Sequence, residues 1–218
     1  MPSSKANVVK AFRIFFRDFL KAGWLVESFK LPPTQARIIK VPSKQEMQKF
    51  YNELRRQEIR VLFLLYASSG LRFNEVLSLI KDNVNFELRL LDSNGVHKNG
   101  TTKKSYFSFY NHECETILKE YLDTRTDDNP KLIPIDGRVI QNEFKKASLR
   151  SGIHISAQVL RDWFCQEMGE LGVPDRFIDA FCGRTPKSVL ARHYSDYSPE
   201  RLKAIYDKAG LKILVSLI

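Results

Sequence analysis

Cysteine is scarce in this chain, and it lacks the spacings that would make it structural. The three cysteines among 218 residues are Cys114, Cys165 and Cys182. Their number is odd and no two are spaced as C-x-x-C, which argues against a disulfide framework and a Cys-rich zinc site. They read as small buried hydrophobes of a reducing compartment. The histidines, His97, His112, His154 and His193, are scattered without metal-ligand spacing. No Walker loop, G-x-G-x-x-G, H-E-x-x-H or G-x-S-x-G occurs, so the chemistries that those motifs carry have no foothold. Long hydrophobic runs are missing too. The longest, Val61 to Ala67, falls far short of the roughly 20 residues a membrane span needs. No N-terminal apolar stretch reads as a signal peptide. The expected setting is therefore cytoplasmic, with no membrane partner and no cofactor. Internal repeats and low-complexity segments are absent.

Basic charge is what the chain has in excess. Lys plus Arg is 35 against 25 Asp plus Glu, a net charge of +10 and an isoelectric point near 9.5. An imbalance of that size points to a polyanionic partner, nucleic acid first. The apolar fraction of 43% and charged fraction of 28% are those of a globular protein with a sizeable core.

Periodicity places the elements. Residues 6–22 carry Val8, Phe12, Phe15, Phe16 and Phe19 at helical spacing, with Gly23 as a stop. Residues 30–41, with Pro32 and Pro33, read as a linker. Ser43 and Glu46 form a capping box that opens a helix to about Arg56. The run Val61 to Ala67 reads as a core helix that Ser68, Ser69 and Gly70 break, and helix resumes near Arg72. Residues 84–92 alternate like a strand, Asn94-Gly95 and Asn99-Gly100 signal turns, and Ser105 to Tyr110 reads as another strand. Beyond that, Asn111 is placed to cap a helix to Leu122 and Ser156 one to Gly169. Pro174 and Pro186 stand where helices begin, and Ser198-Pro199 is a cap followed by a first helical position. The pattern predicts a mainly α protein with a small antiparallel sheet.

Four sequence features carry chemistry. Arg72 stands in Ser-Ser-Gly-Leu-Arg-Phe-Asn-Glu-Val, and Arg161 in Gln-Val-Leu-Arg-Asp-Trp. Arg184 stands in a run that opens Cys-Gly-Arg-Thr-Pro-Lys-Ser-Val and ends in Arg-His-Tyr at Tyr194. Between the first two lies the basic turn His97-Lys98-Asn99-Gly100-Thr101-Thr102-Lys103-Lys104. Each feature alone is unremarkable, since an Arg on an amphipathic helix is usually a solvated charge. Their order is distinctive.

In that order the motifs resemble the catalytic domain of the tyrosine recombinases, the phage-lambda and Xer-type integrases. The Gly183 to Tyr194 box looks like the branch found in archaeal viruses and plasmids. The resemblance covers roughly residues 43–210 and implies a site-specific DNA recombinase (integrase), metal- and ATP-independent, that integrates or excises a mobile element through a 3′-phosphotyrosine intermediate. It implies Tyr194 as nucleophile, with Tyr197 as a local rival, and Arg72, Arg161 and Arg184 as phosphate ligands. It implies a catalytic lysine, Lys98 or Lys103. Gln158 stands where the family often has His, and Asp162 where another His often follows; Gln158 can donate to a phosphate oxygen but is no cationic acid. Residues 1–30 resemble the end of a core-binding domain, 31–42 a linker, and 43–218 the catalytic domain with a C-terminal tail helix. The implied partners are double-stranded DNA attachment sites and further copies of the chain, as a tetramer on DNA. The apolar tail Ile213, Leu214, Val215, Leu217 and Ile218 either packs on its own chain or, as in the family, docks on a neighbouring protomer. Two other functions share these features: an inactive DNA-binding module of the same fold, and a type IB topoisomerase.

Overall fold

The computed structural model describes residues 2–31, 39–93, 107–184, 188 and 194–215. Contacts divide the chain into two units, Met1–Lys40 and Val41–Ile218.

In the first unit, α1 (Pro2–Ile14) passes into a π-helical turn, Phe15–Phe19, and a 3-10 turn follows at Gly23–Leu25. The sequence pattern predicts α-helix throughout residues 6–22, and the structure widens the later part instead. The wider turn takes Leu20 N–H to the Phe15 carbonyl at 3.0 Å, and it stacks the Phe15 and Phe19 rings 5.6 Å apart.

The second unit starts at the predicted capping box. Ser43 Oγ accepts from Glu46 N–H at 3.3 Å and Glu46 Oε2 accepts from Ser43 N–H at 2.7 Å, opening α2 (Lys44–Asn52). This helix stops short of the predicted Arg56. The Leu54 side chain is buried there, and side chains from later helices take the carbonyls: Arg150 bonds Glu53 O at 2.7 Å and Arg60 bonds Leu54 O at 2.7 Å. Helix α3 (Gln57–Ser69) is buried on every face from Val61 onward, as a helix at the centre of a core must be. Ser68 and Ser69 continue it, contrary to the sequence expectation. Their hydroxyls donate to the carbonyls four residues back, at 2.7 and 2.5 Å. The break comes at Gly70, which adopts the left-handed conformation at φ 64°. Helix α4 (Phe73–Ser78) follows.

The stretch predicted as one strand over 84–92 folds as a hairpin. Strands β1 (Val84–Asn85) and β2 (Leu90–Asp92) pair antiparallel with Val84 opposite Leu91. Asn85 ends the first strand because its Oδ1 accepts from Leu88 N–H at 2.9 Å and so builds the turn. Strand β3 (Phe107–Phe109) pairs antiparallel with β2, Leu91 opposite Ser108, giving the order β1-β2-β3. The turn signals at Asn94-Gly95 and Asn99-Gly100 lie outside the described residues.

Among the described residues five further helices follow: α5 (His112–Asp123), α6 (Gly137–Ser151), α7 (Ala157–Glu170), α8 (Asp175–Phe181) and α9 (Pro199–Ala209). Asn111, Ser156 and Ser198 cap α5, α7 and α9 with their side-chain oxygens, and Pro174 precedes α8. Pro186 is outside the described residues. The protein is thus mainly helical with a small three-stranded antiparallel sheet, as the pattern predicts. Phe181 locks the core by meeting Phe109, Phe164 and Tyr206 edge-on, with ring centres 6.0, 6.3 and 5.8 Å away.

After α9, residues 211–215 are not helical. Leu211, Ile213 and Leu214 are buried in their own chain, whereas Val215 is exposed. Glu113 draws this segment in, accepting from Ile213 N–H at 2.7 Å and from Leu214 N–H at 3.1 Å. Of the two readings of the apolar terminus, self-packing holds through Leu214. Among the described residues no helix is long and apolar enough to cross a membrane.

Candidate active site

An α-helix leaves its last carbonyls without intrahelical partners. At the end of α3, three successive carbonyls are taken by three distant elements. Tyr206 Oη on α9 donates to Ser68 O at 2.8 Å, Ser108 Oγ on β3 to Ser69 O at 2.5 Å, and Arg161 Nη1 on α7 to Gly70 O at 2.5 Å. The guanidinium of Arg161 also donates through Nη2 to Cys182 O, at 2.6 Å, just past α8. Arg161 thereby clips the end of α3 to the end of α8.

Arg161 is only 4% exposed. Burying a cation costs several kcal/mol. Here two carbonyl bonds, about 1.5–3 kcal/mol each, and the negative end of the α3 dipole offset that cost. Burial lowers its pKa below the ordinary value; Cys182 works against that, and Arg72 and Arg184 add to it. The two bonds use two of the five N–H donors a guanidinium carries, which leaves donors for a ligand.

Arg72 sits at the N-cap of α4. Its Nη1 donates to Glu75 Oε1 at 2.6 Å, and its backbone N–H to Glu75 Oε2 at 2.7 Å. Glu75 is itself buried, so it holds both ends of Arg72 in one geometry. Arg72 Nη2 then reaches Gly183 O at 3.3 Å. Arg184 follows that glycine directly. Its backbone N–H donates to Asp179 O at 2.8 Å and its Nη1 lies 3.7 Å from Asp179 Oδ1. Partial burial works against the Arg184 charge, but Cys165, Cys182 and Asp179 outweigh it and raise the pKa. Arg72 and Arg161, far apart in the chain, thus bond the Gly183 and Cys182 carbonyls, and Arg184 follows that segment directly, with Glu75 and Asp179 as carboxylate partners. The result is an excess of positive charge on rigid elements, which suits a dianionic or trigonal phosphorus centre.

Gly70 is fixed by this arrangement. A Cβ there would lie 2.7 Å from Phe164 Cε1 and 3.0 Å from Cys182 Sγ, at a φ of +64° that L side chains rarely adopt. Sequence reading marks Gly70 as a break; that its carbonyl holds Arg161 depends on a contact spanning 91 positions, which no local pattern signals.

Gln158 lies one helical turn before Arg161 on α7 and donates through Nε2 to Asp162 Oδ1 at 2.8 Å. The two departures from the expected His positions are therefore a hydrogen-bonded pair. Tyr194 is 79% exposed and hydrogen-bonds none of the three arginines. Tyr197 instead packs its ring on Phe177, 6.1 Å between centres. Lys98 and Lys103 lie outside the described residues. Among the described residues no group of three His, Cys, Asp or Glu could hold a metal ion.

The cysteines depart from the sequence reading in one respect. Cys114 and Cys182 are buried, but Cys165 is only partly so, and its sulfur lies 3.4 Å from that of Cys182. All three are free thiols.

Comparison with known proteins shows what the chain and its fold are similar to. The sequence profile described as "Archaeal phage integrase" matches residues 39–208. The tyrosine recombinase XerA of Thermococcus onnurineus is 29% identical over 217 residues, covering 94% of this chain and 74% of the relative. A crystal structure of XerA recombinase superposes with a TM-score of 0.59 at 20% identity, over 96% of this chain and 76% of that one. The Tn1549 transposon integrase in complex with circular intermediate DNA gives a TM-score of 0.61 at 12% identity, over 91% and 77%. These structural likenesses establish the shared fold.

Proposed function

The chain belongs to the archaeal phage integrase family, and from that premise we propose that it is a site-specific DNA recombinase that cuts and rejoins strands through a covalent tyrosine intermediate. The observation that carries this reading is that Arg72 and Arg161 bond the Gly183 and Cys182 carbonyls beside Arg184, close enough for Arg72 and Arg184 to act on the Arg161 charge.

In this reading a scissile phosphate of duplex DNA sits against the three guanidiniums. Tyr194 Oη attacks phosphorus, the bond to the 5′-oxygen breaks, and a 3′-phosphotyrosine and free 5′-hydroxyl form. A second 5′-hydroxyl reverses the step on a new partner strand, so bond energy is conserved. As the phosphorane develops, negative charge collects on the non-bridging oxygens, where each preorganised guanidinium contributes on the order of 3 kcal/mol. An ordinary phenol has a pKa near 10, so reaching its phenolate at pH 7 costs roughly 4 kcal/mol; neighbouring cations reduce that cost. Lys98 or Lys103 protonates the departing 5′-oxygen, and Gln158 donates to a phosphate oxygen. Exposure of Tyr194 suits a nucleophile that must swing onto a phosphate, while Tyr197 is held by Phe177. Residues 1–30 close the core-binding domain, 43–218 form the catalytic domain, and four copies assemble on paired attachment sites of a mobile element.

The test is a cleavage assay on nicked duplexes from the replicon that encodes the chain, with products sequenced. Arg161→Ala should lose about a hundredfold or more in cleavage rate while still binding DNA. Sequenced junctions between two duplexes establish recombination; relaxed circles without junctions indicate a topoisomerase. Salt-sensitive binding with no cleavage in the unaltered chain indicates the inactive module.

A further inference from the structure

The pairing of Cys165 with Cys182 has no part in the strand-transfer chemistry, yet it stands directly behind the arginines. Cys165 lies one helical turn after Arg161 on α7. Cys182 supplies the carbonyl that Arg161 Nη2 holds at 2.6 Å, and the next carbonyl, Gly183 O, is the one Arg72 reaches at 3.3 Å. The sulfurs stand 3.4 Å apart, against about 2.05 Å in a disulfide, and they are free in this structure. Each cysteine is at an element end or on an exposed-to-buried boundary: Cys182 closes α8, and Cys165 is partly open to solvent.

We propose that Cys165 and Cys182 form a peroxide-reactive dithiol whose closure to a disulfide distorts the carbonyl cradle of Arg161 and Arg72 and switches off strand cleavage. The consequence for cleavage rests on the recombinase reading above; the thiol chemistry does not.

The environment selects which sulfur reacts first. A hydrogen bond from Cys182 pulls the Cys165 thiol down to about 7; burial opposes this, and the Arg184 and Arg161 guanidiniums add to it. Cys182 moves the other way, because it gives that hydrogen bond and is itself buried. Of the two sulfurs Cys165 is therefore the one that ionises more readily and attacks as thiolate. Its sulfur attacks one oxygen of hydrogen peroxide, the O–O bond breaks, and the departing hydroxide takes a proton to become water. Cys165 is left as the sulfenic acid. The Cys182 sulfur then attacks the Cys165 sulfur, the S–OH bond breaks, and hydroxide leaves with the Cys182 proton as a second water. Two electrons pass from the two thiols to one peroxide. The new bond draws the Cys182 backbone toward α7, and it removes the thiolate that faces Arg184. Reduction by a dithiol reverses both effects. Cys114 serves as an internal control, since burial drives its thiol far above the ordinary range and keeps it unreactive.

The experiment treats the full chain with stoichiometric hydrogen peroxide and reads two outputs. Mass spectrometry of a non-reduced digest should show one Cys165–Cys182 cross-link, two hydrogens lighter, with Cys114 free. Cleavage of nicked duplex should fall at least tenfold and recover on reduction with dithiothreitol. Cys165→Ser and Cys182→Ser, each compared with itself before and after peroxide, should show neither cross-link nor that reversible fall. A sulfenic acid trapped on Cys165 of Cys182→Ser by a dimedone probe confirms the order of events. Absence of the cross-link overturns the proposal whatever the activity. So does a cross-link that forms while cleavage by the same sample stays unchanged. If the reduced chain does not cleave DNA at all, it is the recombinase reading that fails, and the cross-link then shows a redox site without that output.

Discussion

Replacing Gly70 with alanine tests the hub at the end of α3. Two separate penalties meet there. The residue lies at φ +64°, where an L side chain costs roughly 1–2 kcal/mol. An added methyl would also stand 2.7 Å from Phe164 Cε1 and 3.0 Å from Cys182 Sγ, and Phe164 is wedged against Phe181. Overpacking of that kind adds about 1–3 kcal/mol. Gly152, the C-cap of α6, separates the two penalties. Its φ is +74°, yet a Cβ would meet nothing within 4 Å. Gly152→Ala should therefore lose only about 1–2 kcal/mol, and Gly70→Ala about 2–5 kcal/mol. Urea unfolding followed by Trp163 emission measures both, because Trp163 is buried in the second unit and Trp24 is exposed. The excess of Gly70→Ala over Gly152→Ala should be at least about 1 kcal/mol. Equal losses would falsify the close packing of α3 on α7. The same variant displaces the carbonyl that holds Arg161, so DNA cleavage per folded molecule should fall as well.

The remaining predictions concern the tail, an acid-sensitive clamp and the DNA face. Glu113→Ala removes the acceptor of the Ile213 and Leu214 N–H groups; hydrogen exchange at those two amides should speed up about ten- to a hundredfold, from bonds worth about 1.5–3 kcal/mol, and unchanged exchange would mean that apolar packing alone holds the tail. Arg125 hydrogen-bonds the carboxylate of Asp127 and the carbonyls of Asn129, Lys131 and Leu132. Its hydrogen bond holds the Asp127 carboxyl down to about 2, from an ordinary 3.8. A lowered carboxylate pKa stabilises the fold above the unfolded pKa, and that stabilisation is lost as pH falls from about 4 toward 2. Carboxyl NMR titration should find Asp127 near 2, moving back up in Arg125→Ala; no movement would remove Arg125 as the cause. DNA affinity should fall steeply with salt, about 0.9 in log–log slope per phosphate neutralised, and a flat salt dependence would contradict binding by the basic surface.

The caps were the most legible part of the fold. Ser43, Asn111, Ser156 and Ser198 each define a helix start by one side-chain oxygen and one backbone N–H, a local event that sequence contains in full. The errors came where a distant partner decides. Ser68 and Ser69 carry a breaker's composition, but a buried helix end satisfied by Tyr206 and Ser108 keeps them helical. Residues 84–92 alternate like one strand until Asn85 turns its own chain. At the site, the arginine boxes were readable from their motif contexts. Their mutual arrangement, with Arg161 held by Gly70 and Cys182 and Arg72 by Glu75 and Gly183, is a tertiary fact. The Cys165–Cys182 contact was unreadable for the same reason, since seventeen positions and a helix-to-helix packing separate the two sulfurs.

The most direct measurement of the central claim is the identity of the residue that becomes bound to DNA. The chain would be incubated with nicked duplexes of its replicon, denatured, digested with nuclease and protease, and the nucleotide-bearing peptide sequenced by mass spectrometry, beside Tyr194→Phe. The account predicts a phosphodiester on Tyr194 that is missing from Tyr194→Phe, while that variant still binds the duplex. A bond on Tyr197 would keep strand cleavage and reject the assigned nucleophile; no covalent bond from an intact, DNA-binding chain would contradict the strand-transfer account itself.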